Sequence, residues 1–172
     1  VTYALTDDGV AVTHALTNRS ETAAPVALGT HPYVTIGDVD AHDLVLRVPA
    51  STAFETDERM LPTGTRPVEA ALRDGIRLGD AKLDTGFTDL ARDPDGRVRH
   101  SLTAPDGRRL TLWQGEGFDF VQVYTATNYP GHDLAVAIEP MTAPADAFNS
   151  GLGVRRLAPG ETWTLDWGIS LG

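Results

Sequence analysis

Short alternating runs broken by turn residues constrain this chain more than any other feature. VTYALT, VAVTHALTN, PVALGT, DLVLRVP, VRHSLTA, RRLTLWQ, FDFVQVYT, LAVAIE and TWTLDWGISL read as strands. Asp8-Gly9, Asp95-Gly96 and Asp106-Gly107 carry hairpin signals, and Ala158-Pro159-Gly160 a further turn. Strands at this spacing, with little helical periodicity, predict an all-β sandwich or barrel. The one predicted helix is a short piece over residues 68–73. From about 56 to 88 the strand signal lapses, and the Pro, Gly and scattered apolar residues there predict an ordered excursion over the surface.

The 172 residues suffice for one domain with a sizeable core. A net charge of −10 repels a polyanion, so nucleic acid is not an expected partner. No apolar run approaches the roughly 20 residues that span a bilayer, so no membrane partner is expected. Cysteine is absent, which excludes disulfides and thiol catalysis and fits a cytoplasmic location. No signal-peptide pattern opens the chain.

LAVAIEPMTAPADAFN raises a sharper question: why an apolar run ends in one glutamate before a proline. As a strand it places Leu134, Val136 and Ile138 on one face and Ala135, Ala137 and Glu139 on the other. The second face is small and leaves room beside the carboxylate. Pro140 biases Glu139 toward an extended backbone. A solvated strand end is the plain alternative. His31 follows a strand over 25–30 and sits in a turn closed by Pro32. It can exchange a proton near neutrality, or be an exposed turn residue. His14 shares a face with Val10, Val12 and Leu16 and reads as packed in the core. His42, His100 and His132 read as surface groups. Asp84, between Leu83 and Phe87, suits a sugar hydroxyl or caps its own loop. Gln122 and Tyr124 share a face with Phe118 and Phe120, an aromatic and amide surface that suits a sugar ring or an ordinary core with paired polar tips. The three Trp residues read as packing.

No GxSxG elbow is present, and no phosphate loop. No two histidines have metal-ligand spacing, so no metal and no cofactor are expected.

In this order the segments resemble the aldose 1-epimerases, or galactose mutarotases. VTHALTNRSETAAPVALGTHPYVTIGD resembles the strand pair leading to the family's catalytic histidine, with Val34 where Phe is typical. LPTGTRPVEAALRDGIRLGDAKLDTGF resembles the segment running from PTG to a sugar-binding aspartate. FVQVYT, AIEPMTAPADAFN and LAPGETWTLDWGISL resemble the strand before the catalytic glutamate, the glutamate loop and the closing strand. Met141 stands where Gln is common, and Ala143 where an aromatic is common.

The resemblance implies a galactose-mutarotase-like β-sandwich with an open cleft on one sheet. It implies interconversion of the α and β anomers of a free hexose, without a cofactor. Glu139 would be the base, His31 the acid, and Asp84, with Gln122 and Tyr124, would hold the monosaccharide. The likeness covers the C-terminal part of the family pattern, so 1–172 is expected to be one portion of a larger sandwich. The family's earlier strands, an arginine and a second histidine have no counterpart here. The isolated chain is therefore expected to be nearly inactive and to self-associate. Three rivals are a non-catalytic carbohydrate-binding module, a hexose-6-phosphate mutarotase that would need clustered arginines such as Arg47, Arg77, Arg108 or Arg109, and a glycosidase using Glu139 with Asp84.

Overall fold

A computed structural model describes all residues, Val1–Gly172. The strands in chain order are β1 (Thr2–Leu5), β2 (Gly9–Thr17), β3 (Ala24–Val26), β4 (Tyr33–Val34), β5 (Val45–Arg47), β6 (Ala50–Thr56), β7 (Pro62–Pro67), β8 (Ile76–Arg77), β9 (Asp84–Leu90), β10 (Val98–Thr103), β11 (Arg109–Gln114), β12 (Phe120–Ala126), β13 (Ala135–Met141), β14 (Arg155–Leu157) and β15 (Thr162–Leu171). Two short α-helices, α1 (Ala70–Asp74) and α2 (Ala147–Ser150), complete the regular elements with two 3-10 turns.

The strands form two antiparallel sheets. One has seven strands in the order β1-β2-β15-β11-β10-β5-β8, and the other six in the order β4-β13-β12-β9-β6-β7. A ribbon of β14 and β3 stands apart. Alternation drives the layering: Leu46, Leu102, Leu112 and Leu165 from the first sheet meet Phe87, Val121, Val123, Val136 and Ile138 from the second in one continuous core. This is a β-sandwich, the architecture that the strand pattern led us to expect.

Several elements differ from the sequence reading. Residues 56–88 are not an excursion: they carry β7, α1, β8 and the start of β9. β9 reads poorly as a strand because Asp84, Gly86 and Asp89 lower its β character, yet it lies between β12 and β6 at the centre of its sheet. β7 begins and ends in proline and is tolerated because it is an edge strand. The strand expected over 25–30 shortens to β3, with only a single bridge from Gly29 to Met141 beyond it. The Asp95-Gly96 turn does not close a hairpin, since it carries the chain from β9 in one sheet to β10 in the other. Phe118 precedes β12 and is fully buried between the sheets, so it does not share the Gln122 face.

His100 is the clearest correction. It is buried at 0% exposure, on the same side of β10 as Val98 and Leu102, and its Nε2 lies 3.0 Å from Gln114 Oε1. The period-two pattern of VRHSLT carried that signal. His14 is half-buried, accepting at Nε2 from the Trp167 indole N–H at 3.0 Å.

Candidate active site

β13 supplies the floor. Val136 and Ile138 point into the core, so Ala135, Ala137 and Glu139 point away from it, onto the outer face of the six-stranded sheet. Glu139 is nevertheless only 9% exposed, which rules out the solvated strand end. Strand register then fixes its neighbours. Glu139 stands opposite Gln122, which stands opposite Gly86. The adjoining row runs Tyr33, Ala137, Tyr124, Asp84 across four strands.

The segment before β4 brings in the histidine. Thr142 N–H donates to Leu28 O, Thr30 N–H to Pro140 O and Ile138 N–H to Pro32 O, so residues 28–32 run beside β13. His31 is thereby set next to Glu139, with Nε2 3.2 Å from Oε1. The contact is close enough for an ion pair but is not aligned as a hydrogen bond, and Oε1 is left buried without a hydrogen-bond partner. The imidazole is half-exposed, and Tyr33 leans on it with ring centroids 5.1 Å apart.

Two environments therefore meet at one point. Burial pushes the Glu139 carboxyl above its ordinary value, the nearby His31 opposes this, and the Asp84 charge adds to it. Partial desolvation also raises the Tyr33 phenol, helped by Tyr124 and Glu139. Asp84 opens β9 and is exposed, accepting at Oδ1 from Gln122 Nε2 at 2.7 Å. Asp84, Gly86, Gln122, Phe54 and Met141 line a hollow of about 320 Å³ on this face.

The structure thus brings all five candidate residues, Glu139, His31, Asp84, Gln122 and Tyr124, to one sheet face. It adds Tyr33 and Gly86, which the sequence reading left unassigned. Tyr33 was visible only as the residue after Pro32. Gly86 was hidden in DTGF because the signal of a close approach is an absent side chain. A Cβ there would lie 3.1 Å from Gln122 Oε1 and 3.2 Å from Phe54 Cδ2. No group of three or more His, Asp or Glu is arranged to hold a metal ion.

Comparison with known proteins bears on the family and the fold. A family model for aldose 1-epimerase matches residues 1–170. YihR of Escherichia coli strain K12, a protein of uncharacterized function, is 28% identical over 171 residues, covering 94% of this chain and 51% of YihR. The chain therefore spans about half the length of that curated relative. A galactose mutarotase-like protein from Clostridium acetobutylicum shares the fold with a TM-score of 0.85 at 17% identity, over 99% of this chain and 54% of that chain. A galactose 1-epimerase from Lactobacillus acidophilus NCFM does so with a TM-score of 0.69 at 17% identity, over 99% of this chain and 66% of that one. At such identities these structures speak to the fold alone, but the family model extends over nearly every residue, and the chain belongs to the aldose 1-epimerase family.

Proposed function

We propose that this face carries the proton-transfer site of a mutarotase that interconverts the anomers of a free hexose. The observation that carries the proposal is the convergence of His31 Nε2 and Glu139 Oε1 at 3.2 Å. Mutarotation needs a base at the anomeric hydroxyl and an acid at the ring oxygen. Both oxygens are bonded to the same carbon, so the two groups must converge on one point rather than face each other across a ring. Glu139 takes the hydroxyl proton as His31 protonates the ring oxygen. The bond from carbon 1 to the ring oxygen breaks, leaving an open-chain aldehyde. Rotation about the bond between carbons 1 and 2 presents the other carbonyl face. Reversing both proton transfers closes the ring as the other anomer. No electrons or groups leave the sugar.

Each partner fits its part. A buried carboxylate with a raised pKa is a better base near neutrality than a solvated one. Glu139 Oε1 is buried and accepts no hydrogen bond from the protein, so the carboxylate is not spent on a protein donor. Gln122 in the same row, and Asp84 and Tyr124 in the adjoining one, offer acceptors and donors. Of the arginines that a phosphorylated substrate would call on, Arg47, Arg77 and Arg109 belong to the seven-stranded sheet, and Arg77 and Arg108 are engaged by Asp43 and Asp106. That favours a free sugar.

The test is polarimetry on freshly dissolved α-glucose and α-galactose, with sugar binding followed by saturation-transfer NMR. Turnover above the buffer rate is expected to be weak in the isolated chain and to fall by about 10²-fold, or to the buffer rate, in Glu139→Gln and His31→Asn. Asp84→Asn is expected to weaken binding. Residual turnover unchanged in Glu139→Gln, or sugar binding indifferent to Asp84→Asn, would sink the assignment.

A further inference from the structure

A second hollow, of about 410 Å³, opens on the other side of the His31–Glu139 pair. Along the outward face of β13, Ala135 lines this hollow and Met141 lines the smaller one, with Ala137 and Glu139 between them. The two hollows therefore flank the proposed reacting point. The larger is within the range of a small-ligand pocket, about 300–1,000 Å³. An aromatic series leads into it from the site. His31 meets Tyr33 at 5.1 Å, Tyr33 meets Tyr129 at 4.5 Å, and Tyr129 meets His132 at 5.8 Å between ring centroids. Tyr33, Tyr129 and His132 all line the hollow.

Its polar lining is acidic. Asp38, Asp40 and Asp133 edge the hollow, and Asp40 Oδ1 is engaged by His42. No arginine lines the hollow; the Arg108 guanidinium lies 3.7 Å from Asp38 but is held at 2.7 Å by Asp106. Aromatic faces beside carboxylate acceptors suit a neutral, hydroxyl-rich group and disfavour an anion.

We propose that this hollow is a subsite for a neutral substituent on carbon 6 of the aldose, so that the substrates include 6-linked reducing disaccharides. The inference rests on the mutarotase reading above and deepens it. In that reading His31 faces the ring oxygen. Carbon 5 is bonded to that oxygen and bears carbon 6. A group on carbon 6 therefore leaves the site on the His31 side, where Tyr33 and then Tyr129 follow. The anomeric hydroxyl stays free, so the chemistry at Glu139 is unaltered. A second sugar ring would lie along Tyr129 with its hydroxyls toward Asp40 and Asp133.

The experiment measures binding by saturation-transfer NMR and calorimetry, using glucose, gentiobiose (6-linked), cellobiose (4-linked) and glucose 6-phosphate. Gentiobiose is expected to bind about tenfold more tightly than glucose or cellobiose, a gain of the size one aromatic contact supplies. Tyr129→Ala should erase that gain while leaving glucose affinity unchanged. Glucose 6-phosphate should bind more weakly than glucose, and Asp133→Asn should narrow the difference. Glucose binding that responds to Asp84→Asn, but with no gentiobiose preference or with a preference untouched by Tyr129→Ala, overturns the subsite alone. Glucose binding indifferent to Asp84→Asn, or no binding of any sugar, overturns the mutarotase reading and the subsite with it.

Discussion

His100 and Glu139 are both buried titratable side chains, and burial moves them in opposite directions. The imidazole loses its charge more easily, so its pKa falls to about 4, while the carboxyl is pushed up. His100 gives a clean stability prediction because it is fully buried and belongs to the seven-stranded sheet, not to the sheet that carries the proposed chemistry. Its unfolded value is about 6.5. A depressed folded value means that the folded state binds fewer protons between pH 6.5 and 4. The stability it confers is therefore fully present above about pH 6.5 and lost as pH falls toward about 4, amounting to about 3 kcal/mol. Urea unfolding of wild type and His100→Gln across this window checks the point. The stability difference between them should shrink steadily toward low pH, and a difference that stays constant would refute the assignment. The sequence exposed Glu139 through strand alternation but hid its burial, because the groups that cover it, His31 and Tyr33, come from more than a hundred residues earlier in the chain. For His100 the same alternation was there to be read, but the flanking charges of Arg97 and Arg99 suggested surface.

Among the elements, the runs that read clearly as strands are those with a bulky inner face: β2, β10, β11, β12, β13 and β15. β9 reads badly because its work depends on small size. Gly86 lies between Gln122 and Phe54 and keeps the proposed sugar-binding hollow open. Its φ is not in the left-handed region, so the backbone accepts a side chain and the effect of a substitution is steric. Gly86→Ala should crowd Gln122 mildly. Gly86→Val, which raises β propensity, should fill the hollow and displace the Gln122 amide from Asp84. Sugar affinity is then expected to fall by about tenfold, in line with a lost hydrogen bond to a charged group, while thermal unfolding shows the fold retained. Calorimetric titration with glucose checks this, and affinity unchanged in Gly86→Val would place the sugar elsewhere on the sheet. β13 shows the complementary case. Its register was legible, but its pairing with residues 28–32 was not, because that segment lacks the alternation of a strand and is held mainly by isolated backbone bonds.

At the scale of the whole molecule the two sheets do not cover each other fully. β1 forms an edge of the seven-stranded sheet, and all four of its residues are exposed. Register sets Tyr3 opposite Val12 and Leu5 opposite Val10, so these side chains share the inner face with Val12, which is buried at 1% exposure. That face continues past the limit of the opposing sheet, leaving Val1, Tyr3 and Leu5 at 75%, 72% and 91% exposure. An edge strand offers unpaired backbone groups, and here it does so beside an apolar surface and without a charged side chain between Val1 and Thr6. Antiparallel pairing of β1 with its copy would satisfy both at once, extending the sheet and covering Tyr3 and Leu5. The chain is therefore expected to self-associate in solution despite its net charge of −10, and more strongly as salt screens that charge. Light scattering coupled to size exclusion, at low and high salt, measures this directly. Leu5→Lys, which places a charge on the edge, should restore the monomer without loss of the fold. A wild-type chain that stays monomeric at high concentration would show that the overhanging face is tolerated as it stands, and would remove self-association from the account of this sandwich.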